Sequence, residues 1–361
     1  VQGTKRLSLT SFMFDFDNSD RWLGAQMGGT TCLTGGMPMN YDGSRISELG
    51  FTWYPENIAL AQSNVGGNNM VPDAVNAYNY SCCYVWTDAA GQVQRSAPSV
   101  PTGLILVGPN NTITLTIPTM TLTAKTDVAS NFKPEIIIEV YRAKGSNVFN
   151  YVGFVNNDPT AATVTYADGT ADVSANTILY TVGGTLDNYI PPSCLASVVH
   201  KNRFWLGGTD DGKTIWYSKA YTTYESPGFN ELMTISVDGA TDRVTALASM
   251  DERLIIFTGT SIFYVTGDGP NDSGGGSDLS PPQRITSDVG ALEQRSVVST
   301  KAGIMFVANA GENNGAIYLL TRSLEVVYIG KPVEGIFDTY QFCTAATLVP
   351  RQGQVRFALT N

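Results

Sequence analysis

The sequence has one histidine, few charged residues and no long apolar run. Of its 361 residues 15% are charged, and 32 acidic against 22 basic side chains give a formal net charge of −10. Binding to nucleic acid through its phosphates requires clustered Lys and Arg, so the absence of any basic run argues against that class of protein. No apolar stretch reaches the ~18 residues of a membrane-spanning helix, and we expect no membrane insertion.

The sequence also lacks the cysteine spacing of disulfide frameworks and zinc sites. Its five cysteines are an odd number without any C-x-x-C, and adjacent strand residues such as Cys82 and Cys83 point to opposite faces. With a single histidine, a zinc site is disfavoured. We predict reduced, mostly buried thiols in a chain folded in a reducing cytosol. The remaining three cysteines are Cys32, Cys194 and Cys343.

Catalytic signatures are equally scarce. His200 is the only possible histidine base, and no G-x-S-x-G motif accompanies it, so we expect a structural or surface role. The acidic residues lie in sequences typical of turns, where Asp bonds to nearby backbone amides. We predict no enzyme and no catalytic residue, with paired glycosidase carboxylates as the alternative. The acids concerned are Asp210, Asp211, Asp238, Asp251 and Glu252.

Three short sequences resemble ligand loops without matching one. Residues 15–20 and 268–272 gather oxygen ligands that calcium prefers, but neither has the Gly at position six and the Glu at position twelve of a calcium loop. The glycine-rich residues 273–276 lack the Lys-Ser/Thr of a phosphate-binding loop. We predict turns in all three places, and neither a metal nor a cofactor.

Short strands carrying aromatic residues recur through the second half of the chain. Their aromatic positions are about fifty residues apart, and a short polar turn and a second strand follow each of the first three. A repeat of this length built from short strands is typical of a β-propeller blade. Blades cannot cover their own apolar faces alone, so several must pack side by side. The four positions are Trp205, Phe257, Phe306 and Phe357.

Longer alternating strands occupy the region before these repeats. Residues 112–118 alternate polar and apolar side chains, which predicts one solvated and one buried face. Residues 135–142 and 150–155 predict a hairpin with 144–147 in its turn. Six or seven strands over ~110 residues favour an immunoglobulin- or fibronectin III-like sandwich. The predicted fold is therefore all-β, with propeller blades and an inserted sandwich.

The predicted organisation has three parts. Residues 1–75 form an irregular segment that belongs to the propeller or acts as an arm between subunits. Residues 76–190 form the sandwich, and residues 191–361 form the blades. Because the sequence starts with Val and stops at a strand, we expect a portion of a longer protein.

One loop is long enough to suggest a contact with a partner. Residues 267–278 are rich in glycine and are followed by two prolines, and a loop of this length is commonly used for binding. We predict that this segment, here called the contact loop, is either mobile or used for contact, and that it either touches a partner or acts as a gate. The candidate residues are Gly267, Asp268, Asn271, Asp272, Gly274 and Asp278.

Several local sequences together resemble the tail nozzle proteins of short-tailed bacteriophages, also called tail tubular protein B or phage stabilisation protein. The resemblance covers roughly residues 76–330 and contains no catalytic signature. The sequences that carry it are Tyr84-Val-Trp-Thr-Asp-Ala-Ala-Gly, Val140-Tyr-Arg, Tyr166-Ala-Asp, Leu179-Tyr-Thr-Val-Gly-Gly, Arg203-Phe-Trp, Ile215-Trp-Tyr-Ser, Leu254-Ile-Ile-Phe-Thr-Gly and Ser287-Asp-Val-Gly-Ala-Leu-Glu-Gln.

The resemblance implies a structural virion protein in the phage tail, made in the host cytoplasm. It implies a homohexameric ring that contacts the portal adaptor protein and tail fibres or a needle or plug. Genomic DNA would pass through the channel without sequence-specific binding, and a net negative charge is compatible with that passage.

Two other classes of protein are compatible with blades and a sandwich. A carbohydrate- or receptor-binding adhesin would bind glycans through exposed aromatics such as Trp53 or Trp216. A propeller glycoside hydrolase would depend on an Asp between residues 205 and 255. The aromatic pairs at 204–205, 216–217 and 263–264 are otherwise expected to pack between sheets.

Overall fold

The computed structural model describes residues 5–6, 15–16, 22–125, 136–285, 288–310, 313–340 and 342–360. Strands make up 45% of the structure and helices 3%. The predicted all-β class is therefore confirmed, with the strands arranged in several antiparallel sheets.

The amino-terminal part contains a regular sheet. Strands β1 (Lys5–Arg6) and β2 (Asp15–Phe16) pair antiparallel. The first four-stranded sheet follows, with its strands paired in chain order. This sheet lies inside the segment that was predicted to be irregular, because its short strands contain Thr, Gly and Asn where strands usually have Val and Ile. Its strands are β3 (Leu23–Met27), β4 (Thr30–Thr34), β5 (Met39–Tyr41) and β6 (Ile46–Glu48).

The next eight strands form two sheets, here called the two-sheet unit. One sheet has the order β14-β11-β7, and the other has the order β10-β8-β12-β13 with β9 paired to β8. The strands are β7 (Ala59–Ser63), β8 (Tyr78–Thr87), β9 (Val93–Arg95), β10 (Thr102–Leu104), β11 (Thr112–Pro118), β12 (Ile137–Lys144), β13 (Asn150–Asn156) and β14 (Thr163–Asp168).

The two sheets of this unit share one core. Alternate residues of β8 enter it, from Tyr78 to Trp86, and they meet Ile113, Leu115 and Ile117 of β11. The alternation predicted for residues 112–118 is thus confirmed. Cys83 lies on the opposite face of β8, in a separate cluster, as expected for neighbouring strand residues.

Two boundaries differ from the sequence-based prediction. β7 ends at residue 63 and pairs with β11, so the two-sheet unit begins before residue 76. The predicted hairpin is present as β12 and β13, but β12 continues to Lys144, which had been predicted in the turn. In both places pairing with a strand distant in sequence decides where the element begins or ends.

Four further sheets complete the fold after the two-sheet unit. The second, third and fourth sheets have four strands each, and the fifth has two. The strands are β15 (Ala196–His200), β16 (Arg203–Gly207), β17 (Thr214–Tyr217), β18 (Thr234–Ser236), β19 (Val244–Met250), β20 (Arg253–Thr258), β21 (Ile262–Val265), β22 (Gln283–Arg284), β23 (Val297–Ser299), β24 (Gly303–Ala310), β25 (Asn313–Thr321), β26 (Val326–Tyr328), β27 (Phe342–Val349) and β28 (Gln354–Thr360). One short α-helix, α1 (Glu334–Phe337), and two 3-10 turns, Gln294–Ser296 and Lys331–Val333, lie between them.

The first sheet and these four further sheets form what we call the sheet array. In this array the first strand of each sheet lies beside the first strand of the next sheet. β15 contacts β3 and β19, and β23 contacts β19 and β27. The second strand of a sheet is covered on both faces: Trp205 packs with Ile256 of the third sheet, whereas Phe204 packs with Cys32 of the first. This double burial explains the recurring aromatic strands that the sequence showed.

Candidate functional site: the contact loop and the adjoining cleft

The contact loop, residues 267–278, joins β21 to β22 and is held by its own hydrogen bonds. The Asn271 side-chain oxygen accepts from the Ser273 and Gly275 amides at 3.0 and 3.1 Å. Gly267 has a φ of +109°, and a Cβ there would meet the Asp278 carbonyl oxygen at 2.6 Å. Glycine is required at this position because the two ends of the loop approach closely.

The contact loop is bound to the second sheet. Lys201 Nζ donates to Asp268 Oδ1 at 2.8 Å, and the Arg203 guanidinium donates to the Pro270 carbonyl. The Asp272 carbonyl accepts from the Leu186 amide at 2.8 Å. Two of the six predicted contact residues, Asp268 and Asp272, thus have hydrogen-bond partners outside the loop.

Three other predicted contact residues lie at the surface. Asn271, Gly274 and Asp278 are exposed, and Gly274 adopts a φ of +77°. Gly267 closes the base of the loop. The structure therefore presents a rigid tip with polar groups, which suits a surface contact better than a moving gate.

A cleft of about 230 Å³ lies beside the contact loop. It is bounded by the two-sheet unit through Arg95, by the connection between β17 and β18 through Glu225, and by the contact loop through Asp272. Arg95 Nη1 and Glu225 Oε1 are 2.5 Å apart. Positively and negatively charged side chains from three segments that are distant in sequence therefore line the cleft.

Lys219 lies at the inner end of this cleft with its side chain almost fully buried. Its Nζ donates to Asn188 Oδ1 at 2.7 Å and to the Leu186 carbonyl, and lies 5.3 Å from the centre of the Tyr180 ring. Burial lowers the pKa of Lys219 to about 8, although Asp272 and Asp187 act in the opposite direction. Ser226 Oγ, also in the cleft, is buried without a hydrogen-bond partner among the described residues.

A second cavity, of about 140 Å³, is bordered by residues at or just before the first strands of four sheets. Leu23, Leu195 and Val244 meet there with residues 292–295. The Gln294 side chain accepts from the Leu247 amide at 2.7 Å and donates to the Leu247 carbonyl at 2.9 Å. The Gln294 side chain therefore forms the two hydrogen bonds that the backbone of a neighbouring strand would form with Leu247. These bonds connect the fourth sheet to the third.

The acidic residues considered for hydrolysis are occupied separately. Asp251 pairs with Arg322 and Glu252 with Lys201. Burial raises the pKa of Asp211, but hydrogen bonds from Thr214, Thr209 and the Lys213 amide lower it to about 2. Asp238 accepts from Ser236. Asp211 and Asp238 thus bond within their own turns, as predicted, whereas the ion pairs of Asp251 and Glu252 with distant residues were not predicted.

His200 has a structural environment. Its Nδ1 lies 2.8 Å from Ser249 Oγ, and its carbonyl accepts from the Trp205 indole at 3.1 Å. Burial and the nearby Lys201 lower the pKa of His200, so the ring is neutral near pH 7. These bonds tie the first strand of the second sheet to its neighbours.

All five cysteines are free and buried, in agreement with the predicted thiols. Among the described residues no group of three His, Cys, Asp or Glu side chains is arranged to hold a metal ion. Residues 15–20 lie largely outside the described residues. No described helix has the length and apolarity required to cross a bilayer.

Two buried ion pairs were not anticipated from the sequence. Lys125 Nζ lies 3.1 Å from Glu48 Oε1 and donates to the Glu48 and Gly50 carbonyls at 2.6 Å. Arg142 Nη1 lies 2.6 Å from Asp168 Oδ2. The local sequence did not predict either ion pair, because the residues involved are polar side chains in predicted turns or at strand ends.

No protein-family model matches this chain, and no curated protein sequence matches it significantly.

Proposed function

We propose that this chain is a structural virion protein, a subunit of the tail nozzle of a short-tailed bacteriophage. The sheets of the array would be the blades of a β-propeller, and the two-sheet unit an inserted fibronectin III-like sandwich. The supporting observation is that the first strands of successive sheets lie side by side while the paired strands extend away from them in chain order. That is the arrangement expected of blades around an axis.

The proposed subunits assemble into a homohexameric ring with no catalytic centre. DNA would pass along the axis of this ring and not through a single chain, because the 140 Å³ cavity at the first strands cannot hold a duplex, whose major groove alone is about 12 Å wide. A net charge of −10 disfavours adhesion of DNA to the channel wall. The rigid tip of the contact loop would bind the adaptor or a fibre.

The mass of the assembled protein tests this proposal. Native mass spectrometry and negative-stain images should show a six-fold ring or stacks of it, built from 38.7 kDa subunits. Phage particles without the protein should package DNA and then lose it. A strict monomer at high concentration, together with infectious particles that lack the protein, would contradict the nozzle role.

The polar cleft favours one alternative, a carbohydrate-binding adhesin. Tyr180, Lys219 and Glu225 place an aromatic ring and hydrogen-bonding groups around a volume suited to one sugar ring. Trp53 is 59% exposed, whereas Trp216 packs against the core of the first and second sheets and cannot serve as an open platform. A glycan screen with the intact chain and with Glu225→Gln tests this alternative; binding that the substitution weakens would support it.

A further inference from the structure

A third cavity, of about 360 Å³, lies between the two-sheet unit and the segments that connect it to the array. Ligand pockets in proteins usually have volumes of about 300–1,000 Å³, so this cavity is large enough for a side chain or a small molecule. Three aromatic residues line it together with one carboxylate, and we call it the aromatic cleft. These residues are Tyr54, Phe149, Tyr189 and Asp187.

The aromatic residues and the carboxylate come from three segments that are distant in sequence. One segment follows β6, one precedes β13, and one, residues 187–189, precedes β15. The Leu179 amide donates to the Phe149 carbonyl at 2.8 Å, and the Tyr189 amide donates to the Phe229 carbonyl at 2.8 Å. These backbone hydrogen bonds fix the positions of the segments that carry two of the three rings.

The half-buried carboxylate of Asp187 has no basic partner in the aromatic cleft. Among the described residues, no Lys or Arg lines this cleft, and none forms an ion pair with Asp187. Burial raises the pKa of the Asp187 carboxyl, and Lys219 of the neighbouring polar cleft and the adjacent Tyr189 hydroxyl lower it only in part. A negative charge in such a place is stabilised when a cation binds beside it.

The same combination of groups holds a cation elsewhere in this chain. Lys125 Nζ lies 3.1 Å from Glu48 Oε1. It also lies 5.0 Å from the centre of the Phe51 ring and 5.6 Å from that of the Trp86 ring. Aromatic rings attract cations because their faces carry partial negative charge. The aromatic cleft has the rings and the carboxylate but no Lys or Arg of its own, so a cation from another molecule can complete the set.

The surface around the aromatic cleft is apolar. Val100 lines the cleft and is 73% exposed, and three apolar residues next in sequence to lining residues are also exposed. Exposed apolar residues grouped in this way are typical of surfaces that bind another protein. A free cation would leave this apolar rim in water, whereas a protein would cover it. The three neighbouring residues are Trp53, Val148 and Ile178.

We propose that the aromatic cleft binds a basic side chain, Arg or Lys, of a partner protein. The ammonium or guanidinium group binds the Asp187 carboxylate beside the rings of Tyr54 and Tyr189, and the surface of the partner covers the apolar rim. The net charge of −10 favours the approach of a basic surface. This inference rests on the cleft alone and holds whether or not the chain belongs to a tail nozzle.

A peptide titration of the full chain tests this assignment. The probe is acetyl-Gly-Arg-Gly-amide, and the control peptide has citrulline, which keeps the shape of arginine without its charge. NMR signals of the Leu179 and Val100 methyl groups report binding at the cleft. We expect the citrulline peptide to bind more weakly than the arginine peptide by on the order of tenfold. Equal binding of the two peptides, or no binding of the arginine peptide up to about 10 mM, would overturn the proposal.

Substitutions connect the binding to individual groups of the cleft. Asp187→Asn removes the charge but keeps the shape of the side chain, and it should weaken binding of the arginine peptide by on the order of tenfold. Asp210→Asn is the matched control and should change little, because it removes the same charge from an exposed turn outside the cleft. Equal losses of affinity in these two variants would indicate attraction by net charge alone and would contradict a specific site.

A second variant keeps the test valid if Asp187→Asn lowers the stability of the chain, which urea unfolding measures. Tyr54→Leu removes one ring and should weaken binding of the arginine peptide about threefold. Tetramethylammonium carries the positive charge but cannot donate a hydrogen bond to the carboxylate, so it should bind more weakly than the arginine peptide. Tighter binding of tetramethylammonium would assign the cleft to a small free cation and would overturn the role of a protein partner.

Discussion

The two-sheet unit and the sheet array consist of similar antiparallel strands but are stabilised differently. In the two-sheet unit, Arg142 and Asp168 form an ion pair with 3% and 0% of their side chains exposed, and Tyr80 donates to the same carboxylate at 2.6 Å. In the array the ion pairs lie near the surface, as between Lys201 and Glu252, whose side chain is 83% exposed. Apolar packing between sheets stabilises the array.

The difference follows from how each region is covered. A sheet inside the array has a neighbour on each face, so its central strand can be apolar throughout, as at Ile255 and Ile256 of β20. The two sheets of the two-sheet unit share one core, and the opposite face of β8 has only a small cluster around Cys83, so the outer segments of this unit are kept in place by other means. Its buried polar groups fix the positions of strand ends, which apolar contacts specify poorly.

The second buried ion pair lies where the two regions meet. Glu48, the last residue of β6 in the array, binds Lys125 of the two-sheet unit, and Lys125 Nζ lies 5.0 Å from the centre of the Phe51 ring. Arg45 also donates to the Lys125 carbonyl at 3.1 Å. These contacts fix the orientation of the inserted unit relative to the array.

The largest effect is expected from a change in the apolar packing between the sheets of the array. Phe257 is fully buried, and its ring centre lies 5.1 Å from that of Phe306 in the fourth sheet. Phe257→Ala should lower the free energy of unfolding by about 4 kcal/mol through lost burial and a cavity. Urea unfolding measures this change. Ile256→Val, on the other face of β20, should lower the free energy of unfolding by about 1 kcal/mol. Equal losses of stability in Phe257→Ala and Ile256→Val would contradict aromatic packing as the main contact between these sheets.

The second prediction concerns the buried ion pair of the two-sheet unit. Asp168→Ala leaves the Arg142 guanidinium buried without its carboxylate and should cost about 3 kcal/mol. The double substitution Arg142→Met with Asp168→Ala should be less harmful than Asp168→Ala alone, because it removes the unpaired charge. A double-mutant cycle by urea unfolding measures the coupling. Simple additivity of the two single changes would show that the pair makes no net interaction.

The third prediction is a pH dependence from Lys219. Because burial lowers its pKa from 10.5 to about 8, the unfolded chain binds more protons than the folded chain between these values. Stability should therefore increase with pH above about 8 relative to Lys219→Met, by up to about 2 kcal/mol at pH 9.5. Unfolding at a series of pH values compares the two chains. Lys213→Met is the control, and its stability should depend on pH as that of the unaltered chain does. Parallel curves of stability against pH for Lys219→Met and the unaltered chain would exclude a lowered pKa of Lys219.

The smallest effect is expected for the surface ion pairs of the array. Lys201→Ala removes the bonds to Glu252 and Asp268, which are both mainly solvated, and should leave global unfolding unchanged within error. Faster hydrogen exchange in the contact loop alone should be the measurable result. A large loss of global stability would show that the loop contact matters to the array as much as its apolar core.

Much of the strand content could be predicted from local patterns. The recurring aromatic strands correspond to β16, β20, β24 and β28, and residues 112–118 form one strand, β11, as their alternation predicted. The first sheet was missed because strands such as Met39–Tyr41 are too short to show a period. Residues 267–278 do lie in the connection between β21 and β22, but the attachment of this connection to Arg203 had no local signal.

The sequence by itself determined the longer strands and which of their faces are apolar, because a strand's period of two is a property of neighbouring residues. It also determined that the thiols stay free and that the acids lie in turns. Only the tertiary structure decided the partners of buried charges, such as Glu48 with Lys125 and Arg142 with Asp168. These residues are far apart along the chain, and the energy of placing a charge in the interior depends on what the folded chain brings beside it.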